Sequence, residues 1–337
     1  MTEQPTAPRA VPTSADVARR AGVSRATVSY ALNDTAGGRV SEQTRERVRA
    51  AAADLGYVPH AAARSLRAGH TGIVLLTIPE IVFGPLFARF LHEMRTGLRA
   101  HGYTTVIHGT SGGEAPASAW AELRPTAVVS SPSSGLTPEG VDLLRRSGTR
   151  TVLTIGDAPV AGAHTLTLDQ AGIGACAAGH LMAAGHRRIG AIVPTDRTLD
   201  RFSLPRLDGV RAAFAGHGGS RVERLDLDYT EESAARLAGH WRESGLTGLF
   251  TYNDEFALLL LSAFQDAGIR VPGDAALVGA DDLMLARLTR PRLTTVRQEL
   301  TDGGTLAGLI DRLIRHPDTP VERPALGSAR IVARDSA

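Results

Sequence analysis

The 337 residues predict a small all-α helix-turn-helix module plus a hinge helix, followed by a two-lobed α/β body with parallel sheets. Three observations carry this. Short segments with serine caps and glycine stops fill the first 58 residues. From residue 71 onward, runs rich in Val, Ile and Thr alternate with amphipathic stretches. The charge also divides near that boundary. Lysine is absent, so all 37 basic residues are Arg. Residues 1–70 hold ten Arg against six acidic residues, leaving 27 against 29 for the rest. A GC-rich genome would account for the missing lysine but not for the segregation. Arg suits bidentate phosphate and guanine contacts, so the positive module points weakly towards nucleic acid.

Residues 1–12, polar and Pro-containing, read as a disordered tail without the apolar core of a secretion signal. The module then spans 13–58. Ser14 is the expected cap of a first helix, Ser14–Ala21, with Asp16 in its first turn and Val17 and Ala21 on one face. Gly22-Val23 turns the chain, and Ser24 caps a second helix over Arg25–Leu32. Ser24, Arg25, Thr27 and Ser29 would face outward, as residues entering a major groove do. After the Asn33–Arg39 loop, Ser41 caps a third helix from Glu42 to Leu55, with Val48, Ala52 and Leu55 inward and Gly56 at its end. Three helices in about 45 residues make a thin core.

Residues 59–70 (PHAAARSLRAGH) are helix-prone but too short to be helical alone in water. Two readings stay open on the residues alone. The segment is either a hinge helix that forms on DNA with Leu66 wedged into the minor groove, or a linker with one buried leucine.

The body occupies 71–337. Strand-like runs at 72–78, 104–109, 126–131 and 151–156 are followed by a second set at 188–193, 221–227, 248–252 and 275–280. Helical stretches such as Leu86–Arg99 and Glu139–Arg146 lie between them. Nearly all-apolar strands alternating with helices imply parallel sheets covered on both faces, and two sets imply two lobes. A ligand then belongs at the carboxyl ends of the strands.

DVARRAGVSRATVSYALN (16–33), VSEQTRERVRAAAADLGYVPHAAARSLRAG (40–69) and HTGIVLL (70–76) closely resemble the LacI/GalR family of repressors. By that likeness, Arg25, Ala26, Ser29 and Tyr30 read bases, while Thr13, Ser24, Thr27, Asn33 and Arg39 hold phosphate or sugar. Leu66 enters the minor groove with Ala63 and Arg67 beside it. Two departures bear on the operator. Ala26 offers only apolar contact, for instance to a thymine methyl, and His60 stands where the family usually has Asn.

Further pieces resemble the family's effector domain, itself similar to periplasmic sugar-binding proteins: 169–181, Gly185–Ile189, Arg206–Gly209, Asn253-Asp254, Val278–Asp282 and Pro291–Gln298, with 329–337 as a closing strand. The stretch 110–150 matches poorly. The likeness implies a periplasmic-binding-protein-like domain, with lobe one at about 71–163 and 293–322 and lobe two at about 164–292 and 323–337. It also implies effector contacts at Phe87, Arg206, Tyr229, Asn253 and Asp281. Asp169 reads as a helix cap. Asp254 reads equally as a cap or a pocket residue. Phe83 and Phe87 also fit a core.

Gly172-Ile-Gly174-Ala-Cys-Ala177 spells a dinucleotide fingerprint, but Asp169-Gln-Ala separate it from any strand, so the glycines fall inside a helix. No lysine-bearing phosphate loop and no nucleophile elbow occur. The 11 histidines are scattered, and Cys176 is the lone cysteine. The sequence therefore predicts no enzyme, no cofactor, no metal and no membrane span. It predicts a cytoplasmic, nucleoid-associated homodimeric repressor that binds palindromic operator DNA. Its operator affinity would be set by a small-molecule effector between the lobes. A sugar or sugar derivative is favoured, with a nucleobase or other metabolite as the alternative.

Overall fold

The computed structural model describes residues 11–33, 40–58, 71–79, 85–110, 117–131, 134–156, 159–319 and 327–337. The chain divides between Thr71 and Gly72 into two units.

The first unit contains α1 (Ser14–Ala21), α2 (Arg25–Asn33) and α3 (Glu42–Leu55). Ser24 and Ser41 cap as expected: the Thr27 N–H donates to Ser24 Oγ at 3.1 Å, and the Thr44 N–H to Ser41 Oγ at 3.3 Å. The first cap shifts by one residue, from Ser14 to Thr13. Asp16 selects it, because a carboxylate at the third helical position reaches back three residues. It accepts the Thr13 N–H at 2.9 Å and the Thr13 hydroxyl at 2.6 Å. Gly22 and Gly56 close α1 and α3 at φ of +67° and +65°, where an L side chain is strained. Val17, Ala18, Ala21, Val28, Ala31, Val48, Ala51 and Ala52 form the core.

In the second unit, β1 (Ile73–Pro79), β2 (Thr104–Thr110), β3 (Ala127–Ser130), β4 (Thr151–Ile155) and β5 (His164–Leu166) make a parallel sheet in the order β2-β1-β3-β4-β5. One face packs on α4 (Pro85–Ala100), through Met94 and Leu98. The other packs on α5 (Ala117–Glu122) and α6 (Pro138–Arg146), through Trp120, Val141 and Leu144. Helix α5 lies in the stretch that resembled the family poorly, and fully buried Trp120 explains why it forms there.

The second sheet holds β6 (Arg188–Pro194), β7 (Arg221–Leu227), β8 (Gly248–Phe250), β9 (Ala276–Ala280), β10 (Thr294–Leu300) and β11 (Gly327–Val332). Its order is β11-β10-β9-β8-β6-β7, and only β11 runs antiparallel to its neighbour. Helices α7 (Gln170–Ala183) and α8 (Asp200–Phe214) cover one face; α9 (Glu231–Ser244) and α10 (Asp254–Asp266) cover the other.

The lobe boundaries differ from the expectation at two strands. The stretch 293–322 is divided: β10 pairs with β9 and β11 and buries Val296 in the second core, while α11 (Gly303–Arg315) packs on α4 in the first lobe. Strand β5 extends the first sheet, because Leu166 is buried in that core. Beyond β11 the chain hooks back. Ser336 Oγ donates to the Leu277 carbonyl at 2.6 Å, and Asp335 pairs with Arg292 at 2.8 Å.

The dinucleotide-like glycines lie inside α7, which Asp169 caps by accepting the Gly172 N–H at 2.7 Å. Their role is close packing. A Cβ on Gly174 would fall 1.9 Å from the Arg206 carbonyl oxygen, and one on Gly209 would fall 1.9 Å from that of Ala171. The α7–α8 crossing therefore requires glycine on both helices, and α8 in turn carries Arg206.

Candidate functional site

In the first unit, burial of Val28 and Ala31 turns the other face of α2 towards solvent. Ser24, Arg25 and Ala26 are exposed there. Ser24 and Thr27 share a hydroxyl–hydroxyl bond of 2.9 Å, so both are fixed by the cap. Ser29 and Tyr30, one turn further on, are half-buried. Thr13 is exposed beside α1, and its hydrogen bonds hold the Asp16 carboxyl below the usual range. Asn33 closes α2. Arg39, His60, Ala63, Leu66 and Arg67 lie outside the described residues, as does Phe83.

In the second unit, a cavity of about 1050 Å³ opens at the carboxyl ends of strands from both sheets. All five effector residues expected from the sequence line it: Phe87, Arg206, Tyr229, Asn253 and Asp281. Arg206 is buried and directed by its neighbours. Its Nε donates to Gln170 Oε1 at 2.8 Å and its Nη1 to the Tyr252 carbonyl, while the guanidinium lies 4.9 Å from the Tyr252 ring centre. Its Nη2 sits 3.9 Å from Asp281 Oδ1, an oxygen that also accepts from Gln298 Nε2 at 2.7 Å.

Asp281 is held in a conformation that L residues rarely adopt, at φ +100°, followed by Asp282 at +49°. The surroundings impose this. The Asp281 N–H donates to the Val296 carbonyl at 2.8 Å, and the Leu283 N–H donates to Asp254 Oδ2 at 2.7 Å. Asp282 binds the guanidinium groups of Arg297, Arg334 and Arg287. Burial alone would raise its pKa, but Arg334 and Arg297 outweigh that and hold it low.

Asp254, left between cap and pocket by the sequence, does neither job. Asn253 is the cap of α10, accepting the Phe256 N–H at 3.0 Å, and its amide donates to Glu255 at 3.2 Å. Asp254 lies fully buried behind the Asp281 loop, with Thr295 Oγ1 donating to its Oδ1 at 2.5 Å. Burial pushes its carboxyl up to about 7, against the pull of the Thr295 and Leu283 hydrogen bonds. Tyr229 stands at the rim, 60% exposed, its ring 5.0 Å from that of Phe256.

Sequence reasoning missed Gln170, Tyr252, Gln298 and Arg201 in the lining. The first three had a usable signal. Tyr252 and Gln298 fall within or just beyond strands at the cavity, and Gln170 follows a recognised cap. Arg201 had none. It sits in the first turn of α8, donates to the Thr198 carbonyl at 3.0 Å, and is made less basic by burial.

Residues 13–60 match the family described as "Bacterial regulatory proteins, lacI family", and residues 178–337 match a periplasmic binding protein-like domain. The chain is 31% identical to the HTH-type transcriptional repressor PurR of Photobacterium profundum over 293 residues, covering 84% of this chain and 86% of that protein. It is 30% identical to the ribose operon repressor of Escherichia coli K12 over 334 residues, 95% of this chain and 96% of that one. In fold it matches the Lac repressor dimer bound to operator and the anti-inducer ONPF (TM-score 0.77, 21% identity, 97% and 99% coverage). It also matches a LacI family regulator from Silicibacter pomeroyi (TM-score 0.78, 25% identity, 96% and 99% coverage). With such identity over nearly the whole of both chains, this protein belongs to the LacI family of transcriptional regulators.

Proposed function

We propose that the chain is an operator-binding repressor that works as a homodimer and is controlled by a small molecule in the inter-lobe cavity. The observation that carries this is the cavity itself. The residues assigned to the effector by family likeness, scattered from Phe87 to Asp281 in sequence, line one opening at the carboxyl ends of both sheets.

In this reading, residues 13–58 bind DNA, 59–70 form the hinge helix, and 71–337 take the effector. Arg25, Ala26, Ser29 and Tyr30 contact bases. Thr13, Ser24, Thr27, Asn33 and Arg39 contact phosphate or sugar, and Leu66 enters the minor groove with His60, Ala63 and Arg67 nearby. Exposure of Arg25 and Ala26 on α2 supports the base-contacting role. The chain acts by binding and not by catalysis. Family likeness supports work on DNA in the cytoplasm; among the described residues, no helix is long and apolar enough to cross a membrane.

Homodimerisation is supported by Met284, Leu285 and Leu288, which are 75%, 55% and 65% exposed within one short segment. A second copy is the natural cover for such a patch, since a two-fold dimer matches a palindromic operator. A ribose operon repressor and a transcriptional repressor named PurR are both relatives. A sugar or sugar derivative is the favoured effector, with a nucleobase as the alternative.

Fluorescence anisotropy with the palindromic duplex upstream of the gene tests the reading. Arg25→Ala should weaken specific binding about tenfold or more, in line with about 1–3 kcal/mol for a base-contacting guanidinium. Leu66→Ala should weaken operator binding far more than binding to random duplex. Any effector must shift operator affinity by the same factor that operator shifts effector affinity. No specific binding at physiological salt would sink the proposal.

A further inference from the structure

We infer that the cavity takes an amphipathic ligand, with a compact neutral head of hydroxyl or amide groups on the second lobe and an apolar ring or chain along the first. This rests on the proposal that the cavity is the effector site, and it names the class of effector.

The two walls differ in kind. The first lobe contributes Ile78, Leu86, Phe87, Phe90, Leu91 and Ile155, and no charged side chain among the described residues. These six are only half-buried, so the protein leaves their apolar faces partly uncovered. The Thr77 and Ser130 hydroxyls on that side are already engaged. Thr77 Oγ1 donates to Ser130 Oγ at 3.3 Å, and Ser130 shares a 2.5 Å bond with Ser134. A ligand hydroxylated around its whole edge would press polar groups against this wall without partners, each at a cost of about 1–3 kcal/mol.

The second lobe supplies the opposite chemistry. Arg206 Nη2 is a donor, and Asp281 Oδ2 accepts no hydrogen bond among the described residues. Donor and acceptor side by side favour a head that can both accept and donate. The Asp281 carboxylate repels an anion and the Arg206 guanidinium a cation, and the other charged lining residues, Asp196, Arg201, Asp228 and Glu255, carry both signs, so a neutral head suits the site. At about 1050 Å³ the space lies at the top of the roughly 300–1,000 Å³ range of drug-sized sites, with room for a body beyond the head.

Isothermal titration of the full-length protein with two probe pairs tests this: methyl and hexyl β-D-glucopyranoside, and adenine and N6-benzyladenine. In at least one pair the apolar-bodied member should bind at least tenfold tighter. Phe87→Ser should erase most of that gain and weaken the bare head far less, while Asp281→Asn serves as the contrasting change on the other wall. Asp281→Asn should weaken both members equally. Equal or tighter binding of the bare member in each pair, or binding of none of the four, overturns the inference. Operator titration on the same preparation separates the two proposals. If the chain binds its operator and responds to methyl glucoside or adenine but not to their extended partners, the regulator stands and the amphipathic ligand falls. If the chain does not bind operator, the regulator reading falls whatever the probe pairs show.

Discussion

The two units are built on cores of different grain. Every buried apolar residue of the first unit is Val or Ala, eight in all among the described residues, whereas the second buries Trp120, Phe250, Phe264 and a large set of Leu and Ile. A buried Leu or Phe removes about 1.5–3 kcal/mol of apolar surface from water, and alanine far less. The first unit therefore holds its shape on caps, turns and a few valines. The second sets its polar site into a deep scaffold. Local changes should threaten folding in the first unit, while in the second they should alter the cavity unless they strike the scaffold itself.

The largest effect expected is at the scaffold. Gly174→Leu places side-chain atoms where the Arg206 carbonyl lies, so α7 and α8 must separate. The cost should reach about 3 kcal/mol or more, at the upper end of overpacking. Calorimetry should show the main transition several degrees lower, and the probe pairs should lose binding because α8 positions Arg206. An unchanged transition would mean that the crossing is not tight.

Val48→Ala comes next. Val48 is fully buried in the small core, and losing its two methyl groups should cost about 1–2 kcal/mol. That sum is minor for the body but a large share of the stability of the small first unit, Met1–Thr71. Hydrogen exchange should show faster amide exchange across α1 to α3 with β6 and β9 unaffected. Equal acceleration in both units would contradict the comparison.

The contrast also explains what the sequence made legible. Caps and stops are local events. Ser24, Ser41, Gly22 and Gly56 could be read directly, and only Thr13 displaced its neighbour, because Asp16 chooses a partner three residues back. In the body, strand identity was legible from apolar runs, but sheet membership was not. Strand β10 follows β9 in the second sheet because Val296 finds space beside Ala280 in the second core, which is a fact of packing and not of pattern. The residues that resemblance assigns to an effector line one cavity. Asn253 and Asp254 show the limit of that route. They are adjacent in sequence, yet one caps a helix at the cavity wall while the other is buried behind the Asp281 loop.

Asp254 makes the deep scaffold sensitive to pH. Its carboxyl is near 3.8 when unfolded and about 7 when folded, so the native state holds the proton more tightly. The resulting stability is fully present below the unfolded value and is lost as pH rises through 7. The melting temperature of the body should fall between pH 5 and pH 8, and Asp254→Asn should flatten that slope. The small unit has no counterpart among its described residues. A slope that survives in Asp254→Asn would assign the titration elsewhere.

The smallest effect isolates the comparison, because it makes the same local change in both units. Ser41 and Asn253 each accept one backbone N–H at a helix start, and Ala at such a position costs about 1 kcal/mol. In the first unit the loss should appear as local opening of α3 and a few-fold weaker operator binding, since the fraction of folded module falls. In the body, Asn253→Ala should leave global unfolding almost unchanged, because Phe256, Leu260 and Phe264 anchor α10 below the cap. Its cost should appear instead in ligand affinity, through the released Glu255 and the altered wall beside Tyr252. If Asn253→Ala lowers the melting temperature as much as Ser41→Ala opens its helix, the caps matter equally. The difference in core grain would then not govern where each unit is vulnerable.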